Sequence, residues 1–144
     1  MSARTILLVE DNPSDVDLTK RALSKNNIAN KLVVAPDGKE ALDYLKGTGK
    51  YAGRDASELP TVVLLDLKIP KIDGLEVLRR IRADAALKRV PVVILTSSNE
   101  ESDRKMGYDL GVNSYIRKPV DFVQFAEAIK VLGLYWLLLN EPPP

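Results

Sequence analysis

The 144-residue sequence contains no cysteine and no histidine. Without cysteine there is no disulfide framework, no thiolate-held zinc or iron–sulfur site, and no thiol nucleophile. Without histidine there is no Ser-His-Asp triad, no imidazole base and no imidazole metal ligand. An excess of one charge is missing too. The 21 Lys+Arg stand against 20 Asp+Glu, a net +1, so nothing suggests broad electrostatic binding to nucleic acid or an anionic membrane. No apolar run approaches the roughly 20 residues that span a bilayer; the longest, Val131 to Leu139, is broken by Gly133. The start, MSARTILLVED, offers only Ile6 to Val9 before two acids, so it does not read as a signal peptide and a cytoplasmic protein is expected. Chemistry is left to carboxylates, hydroxyls, Lys, Arg and a hard, oxygen-preferring cation.

What is present builds a core. The chain is 45% hydrophobic and 28% charged, at a length near that of one domain of roughly 100–150 residues. Five short runs read as strands: Ile6–Val9, Leu32–Ala35, Val62–Leu65, Val92–Leu95 and the weaker Ser114–Ile116. Four of them are continuously apolar, the pattern of strands covered on both faces. Helix starts lie between them. Asn12-Pro13-Ser14-Asp15 supplies an N-cap, a proline at the first helical position and an acid in the first turn. Asp37-Gly-Lys-Glu40, Asp73-Gly-Leu-Glu76 and Asp121-Phe-Val-Gln124 are capping-box patterns. After the last, Phe122, Phe125, Ala126, Ile129 and Leu132 recur at helical spacing and face a core. This alternation predicts an α/β, flavodoxin-like doubly wound (βα)5 three-layer sandwich with a parallel sheet. The segment from Gly47 to Pro60 is longer than an ordinary connection. It reads either as a tolerated surface insertion or as a loop that contacts a partner.

Sites in open parallel sheets form beyond the carboxyl ends of the strands. There the first run ends in Glu10-Asp11, the third in Asp66, the fourth in Thr96-Ser97-Ser98, and the fifth is followed by Lys118-Pro119. Helix capping does not account for Asp66, which lies seven positions before the capping Asp73. Three gathered acids repel one another unless a cation intervenes. Oxygen ligands without His or Cys point to Mg2+. Such a cation neutralises charge on a transferring phosphoryl group, and a carboxylate can accept that group covalently. Thr96 would hydrogen-bond a phosphoryl oxygen and Lys118 would pair with another.

These residues in this order, with DLKIPKIDG around Asp66, resemble the CheY-like receiver domain of two-component response regulators, over roughly residues 4 to 132. The resemblance implies sheet order 2-1-3-4-5 and a receiver domain over residues 4–133. It implies that Asp66 is the phosphoacceptor. It further implies Mg2+ held by Asp11, Asp66 and the Lys68 backbone carbonyl, with Glu10 acting through metal-bound water. Thr96 would be the switch hydroxyl, Tyr115 the aromatic switch and Lys118 the bridge to the phosphoryl group, with a cis bond before Pro119. The donor would be a phosphohistidine on a sensor histidine kinase. The chain would thus be a phosphoacceptor switch limited to self-phosphorylation and autodephosphorylation, not a turnover enzyme. Lys68 and Ser98 occupy the positions two beyond Asp66 and Thr96, which tune dephosphorylation in that family.

About a dozen residues follow the expected receiver, 134–144 forming an apolar extension, so output is expected through protein contacts and not through DNA. This tail either packs on the chain's own sheet or completes a homodimer with the face formed by the fourth helix, fifth strand and fifth helix. With the Gly47–Pro60 segment, the ending GLYWLLLNEPPP resembles the small regulators of phytochrome-type histidine kinases. Two other readings remain: a non-phosphorylated pseudo-receiver scaffold, and an aspartate-nucleophile phosphatase of the haloacid-dehalogenase type. The phosphatase would carry Asp at 68 and Thr at 70, where this chain has Lys68 and Pro70. Gly47-Thr-Gly-Lys50 is no phosphate loop, because Tyr44 and Tyr51 stand where Gly and Ser or Thr are required.

Overall fold

The computed structural model describes residues 5–25, 31–96, 111–112, 114–118 and 121–132, with Thr96, Phe122 and residues 129–132 described by backbone alone. Strands β1 (Thr5–Val9), β2 (Lys31–Ala35), β3 (Val62–Asp66), β4 (Val92–Thr96) and β5 (Ser114–Arg117) form one parallel sheet in the order β2-β1-β3-β4-β5. The described helices are α1 (Pro13–Lys25), α2 (Gly38–Lys46), α3 (Gly74–Ala83) and α4 (Phe122–Leu132). Each begins where its capping residue predicts. Asn12 Oδ1 accepts from the backbone N–H of Ser14 at 2.9 Å, and Pro13 opens α1. Asp37, Asp73 and Asp121 accept from the N–H three residues on, at 2.8, 3.0 and 2.9 Å. Each cap satisfies a donor that the first helical turn leaves without an intrahelical partner.

Strand side chains alternate between faces, and that period splits the core in two. Leu7, Val9, Val63, Leu65, Val92 and Ile94 bury with α2 and α3 against one face. Ile6, Leu8, Val62, Leu64, Val93, Leu95 and Ile116 bury with α1 and α4 against the other, around the fully buried Phe125. In β1, β3 and β5 the even-numbered residues therefore belong to the α1/α4 face.

Strand β2 departs from the expectation of two covered faces. Leu32, Val33 and Val34 are only half-buried. Apolar continuity alone does not separate a central strand from an edge strand, and β2 is an edge.

The long segment after α2 is organised. It contains a 3-10 turn, Gly49–Tyr51, and Gly47 ends α2 in the left-handed region at φ 67°. Arg54 ties it down. Its guanidinium donates to the carbonyls of Tyr44 (2.8 Å), Asp55 (3.0 Å) and Glu58 (2.8 Å), and lies 4.2 Å from the Tyr44 ring centroid. Tyr51 packs edge-on to Tyr44 at 5.1 Å. The segment is thus an anchored insertion. An Arg54→Ala protein should lose about 2 kcal/mol, the scale of hydrogen bonds from a charged donor. It should also be cleaved by protease within 47–60 well before the wild type. Equal cleavage rates would show that Arg54 is not the anchor.

The expected fourth helix, Ser98, the Pro119 peptide bond, both ends of the 4–133 domain and the 134–144 extension lie outside the described residues, and with them the fourth-helix and tail parts of the expected dimer face. Among the described residues no helix is long and apolar enough to cross a membrane.

Candidate functional site

Register brings three of the predicted residues together. Val9 pairs with Leu65, so Glu10 and Asp66, each one residue further on, stand side by side beyond adjacent central strands. Both positions are even, as is 118, two residues past the buried Ile116. Glu10, Asp66 and Lys118 therefore converge on the α1/α4 side of the sheet's carboxyl edge. Glu10 and Asp66 are 1% and 4% exposed, the depth at which a charge needs a partner.

Lys118 is that partner. Its Nζ donates to Asp66 Oδ2 at 2.7 Å and to Asp15 Oδ2 at 2.8 Å. Glu10 Oε1 lies 2.6 Å from the same ammonium, a charge contact without hydrogen-bond geometry. The other Asp66 oxygen, Oδ1, accepts from the backbone N–H of Lys68 at 3.0 Å. Burial pushes the Glu10 carboxyl up to about 7; the Asp66 charge adds to that rise and Lys118 opposes it. Burial alone would lower the Lys118 pKa, but the hydrogen bonds it donates to Asp15 and Asp66, with the Glu10 carboxylate alongside, outweigh it and hold the ammonium firmly protonated.

Asp11 is exposed and completes a set with Glu10 and Asp66 whose oxygens can lie within 4.8 Å of one another. Three carboxylates, Glu10, Asp15 and Asp66, meet one ammonium, and Asp11 stands beside Glu10 and Asp66. The excess negative charge, all-oxygen donors and a buried Glu10 oxygen without a hydrogen bond suit a small divalent cation. This acidic cluster can hold a metal.

The other predicted residues fall as follows. The Lys68 side chain is exposed, while its backbone N–H serves Asp66. Thr96 ends β4, paired in register with Arg117, and its side chain lies outside those described. Tyr115, on β5, is half-buried against the α2/α3 core. Asp15 was not foreseen as a site residue; as an acid in a first helical turn it reads as helix-end electrostatics. The available signal was that α1 starts immediately after Glu10-Asp11, which places its first turn over the strand ends.

Gly74 packs against the backbone that follows the Asp66 side chain. Its N–H donates to the Leu67 carbonyl at 3.0 Å, and a Cβ there would stand 2.5 Å from both the Asp66 carbonyl oxygen and Leu67 Cα. Backbone atoms cannot rotate away. Gly→Ala in a helix ordinarily stabilises by about 0.5–1 kcal/mol. Here the overpacking term wins, and Gly74→Ala should cost about 2–3 kcal/mol in urea denaturation. A gain in stability would show that the loop yields freely.

The response regulator receiver domain family model matches residues 6–130. The chain belongs to the response regulator receiver family. This receiver is 41% identical over 138 residues to the probable methanogenesis regulatory protein FilR2 of Methanothrix harundinacea, covering 96% of this chain and 86% of that protein. It is 37% identical over 134 residues to the response regulator Rcp1 of Synechocystis sp., covering 93% and 89%. Among solved structures it resembles the bacteriophytochrome response regulator AtBRR, at TM-score 0.86 and 56% identity over 98% of this chain and 100% of that one. It also resembles the phosphorylated cyanobacterial phytochrome response regulator RcpA, at TM-score 0.78 and 40% identity over 99% and 100%. The Mn2+-bound form of Rcp1 matches at TM-score 0.76 and 36% identity over 98% and 99%.

Proposed function

We propose that the receiver is a phosphoacceptor switch that takes a phosphoryl group on Asp66. The observation that carries this reading is the environment of that carboxylate. It is buried at the end of a central strand, with the Lys118 ammonium on one oxygen and the Lys68 N–H on the other. Both donors fix the direction of its oxygens, and a carboxylate oxygen so aimed is a nucleophile for phosphorus. Asp66 would form the new O–P bond, and the donor's leaving group would depart with its electron pair. Lys118 would then balance charge on the acquired phosphoryl oxygens.

Glu10, Asp11 and Asp66 would hold Mg2+, with the Lys68 carbonyl as a further ligand; when bound, the cation supplies neutralisation of phosphoryl charge. Their oxygen-only chemistry supports this choice, as does the likeness to Mn2+-bound Rcp1. The donor we infer is a phosphohistidine on a sensor histidine kinase of the phytochrome type. Its support is the likeness to AtBRR and to phosphorylated RcpA. Thr96 and Tyr115 would register the added charge by moving inward, favouring one of two conformers of the chain, with output through protein contacts. Such a switch reacts once per phosphoryl group and does not turn over small phosphoesters.

Intact mass after incubation with acetyl phosphate tests this. One phosphoryl group should be gained with Mg2+ and far less without it. An unmodified protein under both conditions favours the scaffold reading, and steady release of phosphate with no covalent adduct favours the phosphatase.

A further inference from the structure

Asp15 is a fourth acid at the site that neither the expected ligand set nor the receiver pattern uses. Its Oδ2 accepts from Lys118 Nζ at 2.8 Å, joining residues 103 positions apart. The same ammonium meets Asp66 at 2.7 Å. Lys118 thus reaches Asp15 and Asp66 at the same time. The backbone of Asp15 is pinned on both sides. The Asp15 N–H donates to the Asn12 side chain at 3.2 Å, and its carbonyl accepts from the hydroxyl of the fully buried Thr19 at 2.9 Å. A lysine has a flexible four-carbon stem and does not aim itself. A first-turn acid serving only the helix dipole needs no such partner.

We infer that Asp15 is a positioning residue for phosphoryl transfer: by holding the Lys118 ammonium against α1, it keeps that charge at the Asp66 oxygen where the phosphoryl group arrives. This rests on the phosphoacceptor reading. With acetyl phosphate the step is closed. An Asp66 oxygen bonds to phosphorus, the bond from phosphorus to the acetyl oxygen breaks, and acetate leaves with the electron pair. No proton has to move. Asp15 touches none of the reacting atoms and acts through Lys118.

The test is the initial rate of Asp66 phosphorylation by acetyl phosphate with Mg2+, followed by intact mass, in a double-mutant cycle. Asp15→Ala should slow the reaction about tenfold, the factor matching one charge-assisted hydrogen bond. Asp15→Asn, which keeps an acceptor oxygen in place, should stay within about threefold of wild type. In a Lys118→Ala background, Asp15→Ala should change the rate by less than about twofold, because the two effects run through one contact. A merely structural acid would lower both backgrounds alike, and that result overturns the inference. An Asp15→Ala protein within about twofold of wild type overturns it as well. If wild type reacts while the Asp15 variants match it, only this inference falls. If wild type takes no phosphoryl group, the phosphoacceptor reading falls and takes this one with it.

Discussion

An Asp66→Asn receiver should take up no phosphoryl group from acetyl phosphate, with Mg2+ present, under conditions that modify the wild type fully. The amide cannot form the acyl phosphate, since its oxygen lacks the carboxylate's charge and nucleophilicity. The fold should persist. An asparagine oxygen can still accept from the Lys68 N–H, which meets Asp66 at 3.0 Å. Glu10 should also lose one of its two burdens. Burial raises its carboxyl first and Asp66 adds to the rise, so removing that charge lets it fall back toward the usual carboxylate range. Chemistry and folding therefore separate in this variant, which intact mass and circular dichroism read independently. Modification of the Asp66→Asn protein would place the phosphoacceptor elsewhere.

Lys118→Ala should instead strike stability. Glu10 and Asp66 are both nearly excluded from water, and Lys118 is the cation that touches each of them. Removing one partner from buried charges typically costs about 3–5 kcal/mol, because the remaining charges are left uncompensated. Urea denaturation without divalent cation should show a loss of that order. Lys118→Met, which keeps most of the stem's volume, should do no better, so the loss would not be one of packing. Adding Mg2+ should recover much of the deficit, since the cation replaces the missing charge among the same oxygens. A loss below about 1 kcal/mol, the value of an exposed pair, would mean that the acids are neutralised some other way.

The elements were plain in the sequence because each carries a local signal. Capping residues Asn12, Asp37, Asp73 and Asp121 act within three positions, and each starts a helix as expected. Glu10, Asp66 and Lys118 were legible as strand-end residues that no cap explained. Their gathering at the carboxyl edge was legible too; the side of the sheet on which they meet was not, since that follows from register between positions 52 and more residues apart. Asp15 escaped for the same reason: alone it is an ordinary first-turn acid, and only the placement of α1 against β5's end gives it a partner. Arg54 escaped because a surface arginine in a long loop has no pattern that foretells four carbonyl neighbours.

The Lys118 clasp joins the first helix to the residue that follows the last strand, across 103 positions. Such a contact contributes nothing until the intervening chain has been ordered, because loop closure must come first. In a nascent or partly folded chain, Glu10, Asp15 and Asp66 therefore coexist without their ammonium and repel one another. Docking of β5 is the step that assembles the site. Assembly of the carboxylate cluster in this way waits on the far end of the chain: without the fifth strand in place, Asp66 lacks the cation that orients it.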